Sequence, residues 1–236
     1  MDVPQRQEEC DEATRDAVRG ATPEAVRDAV RGATPEAVRE QHSLNSKWVV
    51  WYHNPSDKSW DKDSYKDILE LLSLEDYLVL KNSWEKCLPS VIEGMFFLMR
   101  KLSNGKVIYP QWEDVNNKDG GYWSFKIDKA TAQDVWFKLC SFTIGECICS
   151  SAMESLQVNG ISISPKKNFC IIKIWNNDYN KEDIRLLSDK LDFLDMNEVK
   201  YSSHVKNIER DTTKQVKYNS TKKNHRKYPK DKVGRF

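Results

Sequence analysis

The sequence predicts an α+β fold: a largely antiparallel sheet with helices packed on one face. Runs rich in β-branched and aromatic residues alternate along the chain with stretches of helical spacing. Two of these runs, Val158 to Ile163 and Phe169 to Trp175, are separated by only five residues, Ser164 to Asn168, a hairpin-like link that suits antiparallel pairing. Eight tryptophans in 236 residues call for an aromatic core, a site built from aromatic faces, or both.

Residues 1–41 carry a tandem repeat. Arg15 to Val26 reads Arg-Asp-Ala-Val-Arg-Gly-Ala-Thr-Pro-Glu-Ala-Val, and residues 27–38 repeat it without change. Each Thr-Pro-Glu is a helix start and Gly20 and Gly32 suit helix ends, but helices of about ten residues with only Ala and Val as apolar faces are marginal alone. A mobile, partly helical tail is expected there.

The folded domain is expected over residues 42–211. Lys47 to His53 reads as a buried strand, closed by the turn formers Asn54-Pro55-Ser56-Asp57. Trp60 then falls in a loop. Between Tyr65 and Leu80, Ile68, Leu71, Leu72, Leu74, Tyr77 and Leu78 recur at helical spacing. Met95 to Met99 and Tyr122 to Ile127 read as strands, and Ala130 to Ile144 as a helix with Val135, Trp136, Leu139 and Phe142 on one face. A last helix is expected over Asn180 to Leu194. Residues 212–236 form a basic tail in which nine lysines and arginines face Asp231 alone after Thr212.

With 37 basic and 36 acidic side chains, the totals demand no polyanionic partner. The six cysteines show neither paired two-residue spacing nor a histidine at zinc-ligand distance, so no metal and no cofactor are expected. Cys140, Cys147 and Cys170 lie in apolar runs and read as buried, reduced thiols. No stretch approaches the roughly 18–20 apolar residues of a membrane span. A soluble protein of the cytoplasm, or of cytoplasm and nucleus, follows as the expectation. Trp60 stands among Lys58, Ser59, Asp61, Lys62 and Asp63, and Trp112 precedes Glu113, Asp114 and a glycine-bearing loop, so both read as surface aromatics. Trp48, Trp51, Trp123 and Trp136 lie inside strand or helix patterns and are expected in the core between sheet and helices.

The order His42, Leu44, Trp48, Trp51, Trp60, Trp112-Glu113-Asp114, Gly120-Gly121-x-Trp123, Trp136, Ile144-Gly145-Glu146, Trp175 and Tyr201-x-Ser203-His204 resembles the cap-binding eukaryotic translation initiation factor 4E family over about residues 42–224. The resemblance implies a curved sheet with about three helices on its convex back and a concave site for the 7-methylguanosine cap of messenger RNA. It assigns Trp60 and Trp112 to stacking on the methylated base, Glu113 to the guanine N–H and amino groups, and Trp175 to the pocket beside the methyl group. Lys166 and Lys167 would meet the phosphates, with the facing of Lys173 undetermined. Tyr122 stands where the family has an arginine, and Ile171 where it has a lysine. On the back, His42, Leu74, Leu78, Phe137, Lys138 and Gly145 would form the surface for a translation scaffold protein or a repressor peptide, with Lys138 reversing an expected acidic charge. Trp84 has no family counterpart and is expected to be buried. Ser220 lies near a regulatory phosphoserine of the family.

Two functions follow: a non-catalytic cap-binding module of translation initiation or its control, or a decoy that keeps the fold and has weak or lost cap binding. An enzyme finds no support, since no nucleophile pair, metal cluster or glycine-rich phosphate loop appears.

Overall fold

The computed structural model describes residues 41–210 and 212–213. The amino-terminal repeat, most of the basic carboxy-terminal tail and Ser220 lie outside the described residues. In chain order the elements are β1 (Ser43–His53), β2 (Tyr65–Ser73), α1 (Leu74–Cys87), β3 (Met95–Lys101), β4 (Gly121–Asp128), α2 (Ala132–Ile144), α3 (Ala152–Ser155), β5 (Val158–Pro165), β6 (Phe169–Asn176) and β7 (Lys200–Ser203). The seven strands form one curved antiparallel sheet in the order β2-β1-β3-β5-β6-β4-β7.

Strand alternation sorts the residues onto two faces. Toward the helices point Trp48 and Val50, Phe96 and Leu98, Trp123, Phe125 and Ile127, Ile161 and Ile163, and Ile172 and Ile174. They pack with Tyr77, Leu80 and Trp84 of α1 and Val135, Trp136 and Leu139 of α2 into one apolar core on the convex side. A second, smaller cluster sits on the opposite, concave face: Val49, Trp51, Tyr65, Phe97, Met99, Ile108 and Trp175. Trp51 therefore belongs to the concave cluster, against the expectation that it would lie between sheet and helices. It precedes Tyr52 and follows Val50, and a strand sends neighbours to opposite faces. Trp84 is buried, its indole N–H donating to the Pro89 carbonyl.

The stretch expected as one helix from Tyr65 to Leu80 divides into strand β2 and helix α1. Val50 faces Leu69 and Trp51 faces Asp67, so Ile68 is an extra residue in a β-bulge. The bulge spaces the buried residues Tyr65, Ile68 and Leu71 by three, a rhythm that imitates a helix. The helix proper starts at a capping box: the Ser73 hydroxyl accepts from the Asp76 N–H, and the Asp76 carboxylate accepts from the Ser73 N–H at 2.8 Å.

The helix expected over Asn180 to Leu194 is absent; only a short 3-10 turn, Ile184–Leu186, forms. Leu187, Leu191 and Leu194 are buried through successive turns, with Leu187 N–H donating to the Ile184 carbonyl, Leu191 to Ser188 and Leu194 to Leu191. The backbone here also bonds across to residues 148–150, through Ser188 N–H to Ile148 and Ser150 N–H to Leu186, instead of along a helix. Cys140, Cys149 and Cys170 are buried free thiols, whereas Cys147 is exposed in the turn after α2 and corrects the expectation of burial.

Two family-like motifs have clear structural causes. A Cβ on Gly120 would lie 2.0 Å from the Asn176 carbonyl oxygen, and one on Gly121 would lie 2.4 Å from the Tyr201 hydroxyl. Both positions demand glycine by close approach. Gly145 caps α2, and Glu146 beyond it takes a left-handed φ of 51° that aims its carboxylate at the Arg100 guanidinium, 2.6 Å away. Arg100 also donates to the carbonyls of Val158 and Ser155 and stacks on Trp48, so this buried pair is satisfied on every side.

Candidate functional site

Two loops rise beside the concave cluster: residues 54–64, between β1 and β2, and residues 102–120, between β3 and β4. The first is shaped by side chains that mimic backbone turns, Asn54 accepting from the Ser56 N–H and Asp57 from the Ser59 N–H. At its apex Trp60 stacks in parallel on His53, ring centroids 4.4 Å apart and planes 5° off. His53 is itself buried, its Nε2 donating to the Ser59 carbonyl, which fixes the imidazole plane under the indole. Trp60 is 54% exposed, so one indole face rests on His53 and the other meets solvent.

The second loop is organised by Asp114 and Asn117. Asp114 accepts from the N–H groups of Tyr109 and Asn116, while buried Asn117 donates to the carbonyls of Tyr109 and Gln111. Asn159 of β5 ties the loop down through Asn116 and Asn117. Two contacts join the loops: Gln111 donates to the Trp60 carbonyl at 2.6 Å, and the Lys62 ammonium lies 4.7 Å from the Tyr109 ring centre. Trp112, next to Gln111, packs partly buried against the concave cluster. Glu113 is exposed, and its charge lies close enough to Tyr65 to add to the effect of burial in pushing that phenol up.

Trp175 lines the same face from β6 at 2% exposure, its indole N–H donating to the Ser162 hydroxyl at 3.0 Å. Lys173, two residues earlier, shares its face. The Lys173 ammonium sits 4.0 Å from the Tyr122 ring centre, 5.7 Å from Trp112 and 5.9 Å from Trp175. Burial, with Lys166 adding repulsion, pulls its pKa down to about 8. Lys166 and Lys167 are exposed in the β5–β6 turn, and Ile171 lies on the concave side between them and Lys173. Among the described residues no cluster of histidine, cysteine or acidic side chains could hold a metal ion, and no helix is long and apolar enough to cross a membrane.

On the convex back, His42 bonds Glu75 through both its N–H and its ring, at 3.1 and 2.7 Å, where β1 meets the start of α1. Leu74 and Leu78 are 40% and 46% exposed. Lys138 pairs with Asp134 one turn earlier at 2.8 Å, and Gly145 is exposed at the end of α2. Phe137 departs from its expected place on this surface. It is buried edge-on to Trp84, because the turn of α2 that presents Lys138 outward turns its neighbour toward α1.

Sequence reasoning passed over His53, Gln111, Asn117 and Asn159, all of which act through loop contacts that no spacing reports. Lys173 did carry a signal: two residues before Trp175 in a strand means the same face.

A curved antiparallel sheet backed by helices, its open face lined with indoles and lysines, defines a ligand-binding domain of the α+β class. The sequence model described as eukaryotic initiation factor 4E matches residues 43–219, and the chain belongs to that family. It is 27% identical over 176 residues to eukaryotic translation initiation factor 4E of Candida albicans, covering 70% of this chain and 80% of the relative. It is 31% identical over 174 residues to factor 4E1 of Drosophila melanogaster, covering 70% of this chain and 63% of that protein. Among solved structures, the fold is similar to C. elegans eIF4E-3 in complex with the 4E-binding protein Mextli and a cap analog, with a TM-score of 0.58 at 23% identity over 74% of this chain and 96% of that one. Ascaris suum eIF4E-3 with an m7G cap gives 0.57 at 24% identity, over 70% and 92%.

Proposed function

We propose that this chain binds the 7-methylguanosine 5′ cap of messenger RNA as a non-catalytic module of translation initiation or its control. The observation that carries the reading is Trp60: an indole backed by a buried imidazole, with its free face outward, in a loop hydrogen-bonded to the one that holds Trp112 and Glu113. Methylation leaves the guanine cationic and electron-poor, and such a ring between two indoles gains stacking and cation–π attraction. Glu113, exposed beside Trp112, accepts from the guanine N–H and amino groups and opposes the ring's positive charge. Trp175 lines the pocket floor by the methyl group. Lys166 and Lys167 reach toward the phosphates from the β5–β6 turn. The complexes of similar structures with cap and cap analog support this reading.

The convex back supports a second contact. Exposed Leu74 and Leu78 beside the His42–Glu75 pair offer apolar surface to a helical peptide of a scaffold or repressor protein, and Lys138 selects among such partners by charge. The replacement of cationic positions by Tyr122 and Ile171 favours one alternative, a fold-retaining protein with weak cap binding.

Titration of the purified protein with a 7-methylguanosine nucleotide, followed by tryptophan fluorescence, tests the site. Trp60→Ala and Trp112→Ala are each expected to weaken binding by about 1–3 kcal/mol with the fold intact. Unchanged affinity in both variants contradicts the sandwich.

A further inference from the structure

On the convex back, α1 and α2 lie side by side and run in opposite directions. The Tyr77 hydroxyl donates to the Phe137 carbonyl at 2.7 Å, the Lys81 ammonium sits 5.9 Å from the Phe137 ring centre, and Gln133 donates to Glu85 at 3.1 Å. Their outward stripes therefore run together: Leu74, Leu78 and Lys81 on α1, and Gly145, Ser141 and Lys138 on α2, all exposed. Two leucines opposite a glycine and a serine make one end of this furrow apolar. The lysines make the next turn cationic. Lys138 pairs with Asp134 at 2.8 Å, an exposed contact that another carboxylate can replace at little cost.

The stretch that joins the domain at the apolar end is the tandem repeat. His42 is fixed over the first turn of α1, its carbonyl accepting from the Leu74 N–H at 2.9 Å while its own N–H and ring bond Glu75. Residues 1–40 lead directly into that point. Read as the helix that Thr22-Pro23-Glu24 starts, residues 23–31 place Ala25, Val26, Ala29 and Val30 on one stripe, with Glu24 and Asp28 along one edge and Arg27 and Arg31 along the other. A stripe of small apolar side chains with a carboxylate edge complements leucines bordered by lysines.

We propose that residues 23–31 dock in this furrow within the same molecule, the valines against Leu74 and Leu78 and the Glu24–Asp28 edge toward Lys138, so that the repeat competes with any separate helical peptide for the convex back. This rests on the reading that the back receives a helix, and it is independent of cap binding. The ten residues between Arg31 and His42 span about 17 Å as a flexible chain. That exceeds the roughly 10 Å from Leu74 to Lys81 along α1. So short a helix is marginal alone, and the tether compensates by holding it at an effective concentration on the order of 1 mM. A contact with a dissociation constant of about 0.1 mM as a free peptide is then about nine-tenths occupied in the whole chain, and a competing peptide binds it about tenfold more weakly.

A labelled synthetic peptide of residues 15–40, titrated onto the whole chain and followed by fluorescence anisotropy, tests this. The comparison protein is the whole chain carrying Val26→Asp and Val30→Asp, which empties the furrow without touching the folded domain. This variant is expected to bind the peptide about tenfold more tightly than the parent. Adding Leu78→Asp, an exposed position outside the core, should remove that binding. Adding Lys138→Glu should weaken it severalfold, and a peptide carrying Asp28→Lys should recover it. Equal binding to parent and variant means that the tail leaves the furrow open, which overturns the proposal and leaves the back free for a separate helical partner. Binding indifferent to Leu78→Asp places the peptide elsewhere and overturns the proposal as well. Absence of binding to either protein overturns both the proposal and its premise that this furrow receives such a helix.

Discussion

At the scale of single residues, the concave site rests on rings held from behind. His53 carries Trp60, and His204 backs both Trp175 and Tyr122, at 4.9 and 5.4 Å between ring centres. His204 has a thermodynamic signature. Burial, then the nearby Lys173 charge, holds its imidazole down to about 3, while the unfolded chain protonates near 6.5. Between those values the unfolded state binds a proton that the folded state refuses, so stability falls as pH drops below 6.5, by about 1.4 kcal/mol per pH unit from this group. His204→Leu removes the titrating ring and should flatten that slope; denaturant unfolding at pH 7 and pH 5 measures it, and an unaltered difference contradicts the assignment. Glu113 gives a second expectation. Glu113→Gln keeps an acceptor but loses the charge that opposes a methylated ring, so the ratio of affinities for 7-methylguanosine and guanosine nucleotides should shrink while the melting temperature stays within a degree or two. An unchanged ratio counts against the role given to this carboxylate.

At the scale of elements, Gly120 and Gly121 join the ligand loop to β4 by letting it pass against β6 and β7. Gly120→Ala drives a methyl into the Asn176 carbonyl, a backbone atom with no rotamer to yield, and should cost about 1–3 kcal/mol. Chemical denaturation of the variant measures this, and a cost under a few tenths would show that the two strands part more easily than their packing implies. Elements were legible in the sequence where side chains obey one period throughout. β1, β3 to β6 and α2 stand where their patterns place them, although Trp51 and Phe137 turn to faces other than the expected ones and β5 carries a register shift near Val158. β2 does not: the bulge at Ile68 inserts one residue and turns a period of two into an apparent period of three. Residues 180–194 mislead in the same way, since turns closed every three residues bury Leu187, Leu191 and Leu194 at helical spacing. A local pattern records which side chains are buried, and both cases bury them with a different backbone. The exposure of Trp60 was legible in its charged surroundings, whereas its stacking on His53 depends on the path of the six residues between them, which no periodicity describes.

At the scale of the whole molecule, one sheet separates two tasks. Its convex side spends most of the large apolar side chains on a core with α1 and α2. Its concave side keeps a smaller aromatic cluster whose outer members, Trp112 and Tyr122, stay partly open to solvent, with Trp60 stacked on His53 beside it. The two tryptophan-bearing loops, clasped by Gln111 and Lys62, stand over that cluster, and the lysines of β6 and the β5–β6 turn continue it in one direction. A flat cationic base joined to a chain of phosphates has the shape and charge order of this surface. Retention of the intact protein on immobilised 7-methylguanosine nucleotide tests this most directly, with elution by free 7-methylguanosine triphosphate compared with elution by guanosine triphosphate. The account predicts retention, release by the methylated nucleotide and little release by the plain one; failure to be retained, or equal release by both, would contradict it.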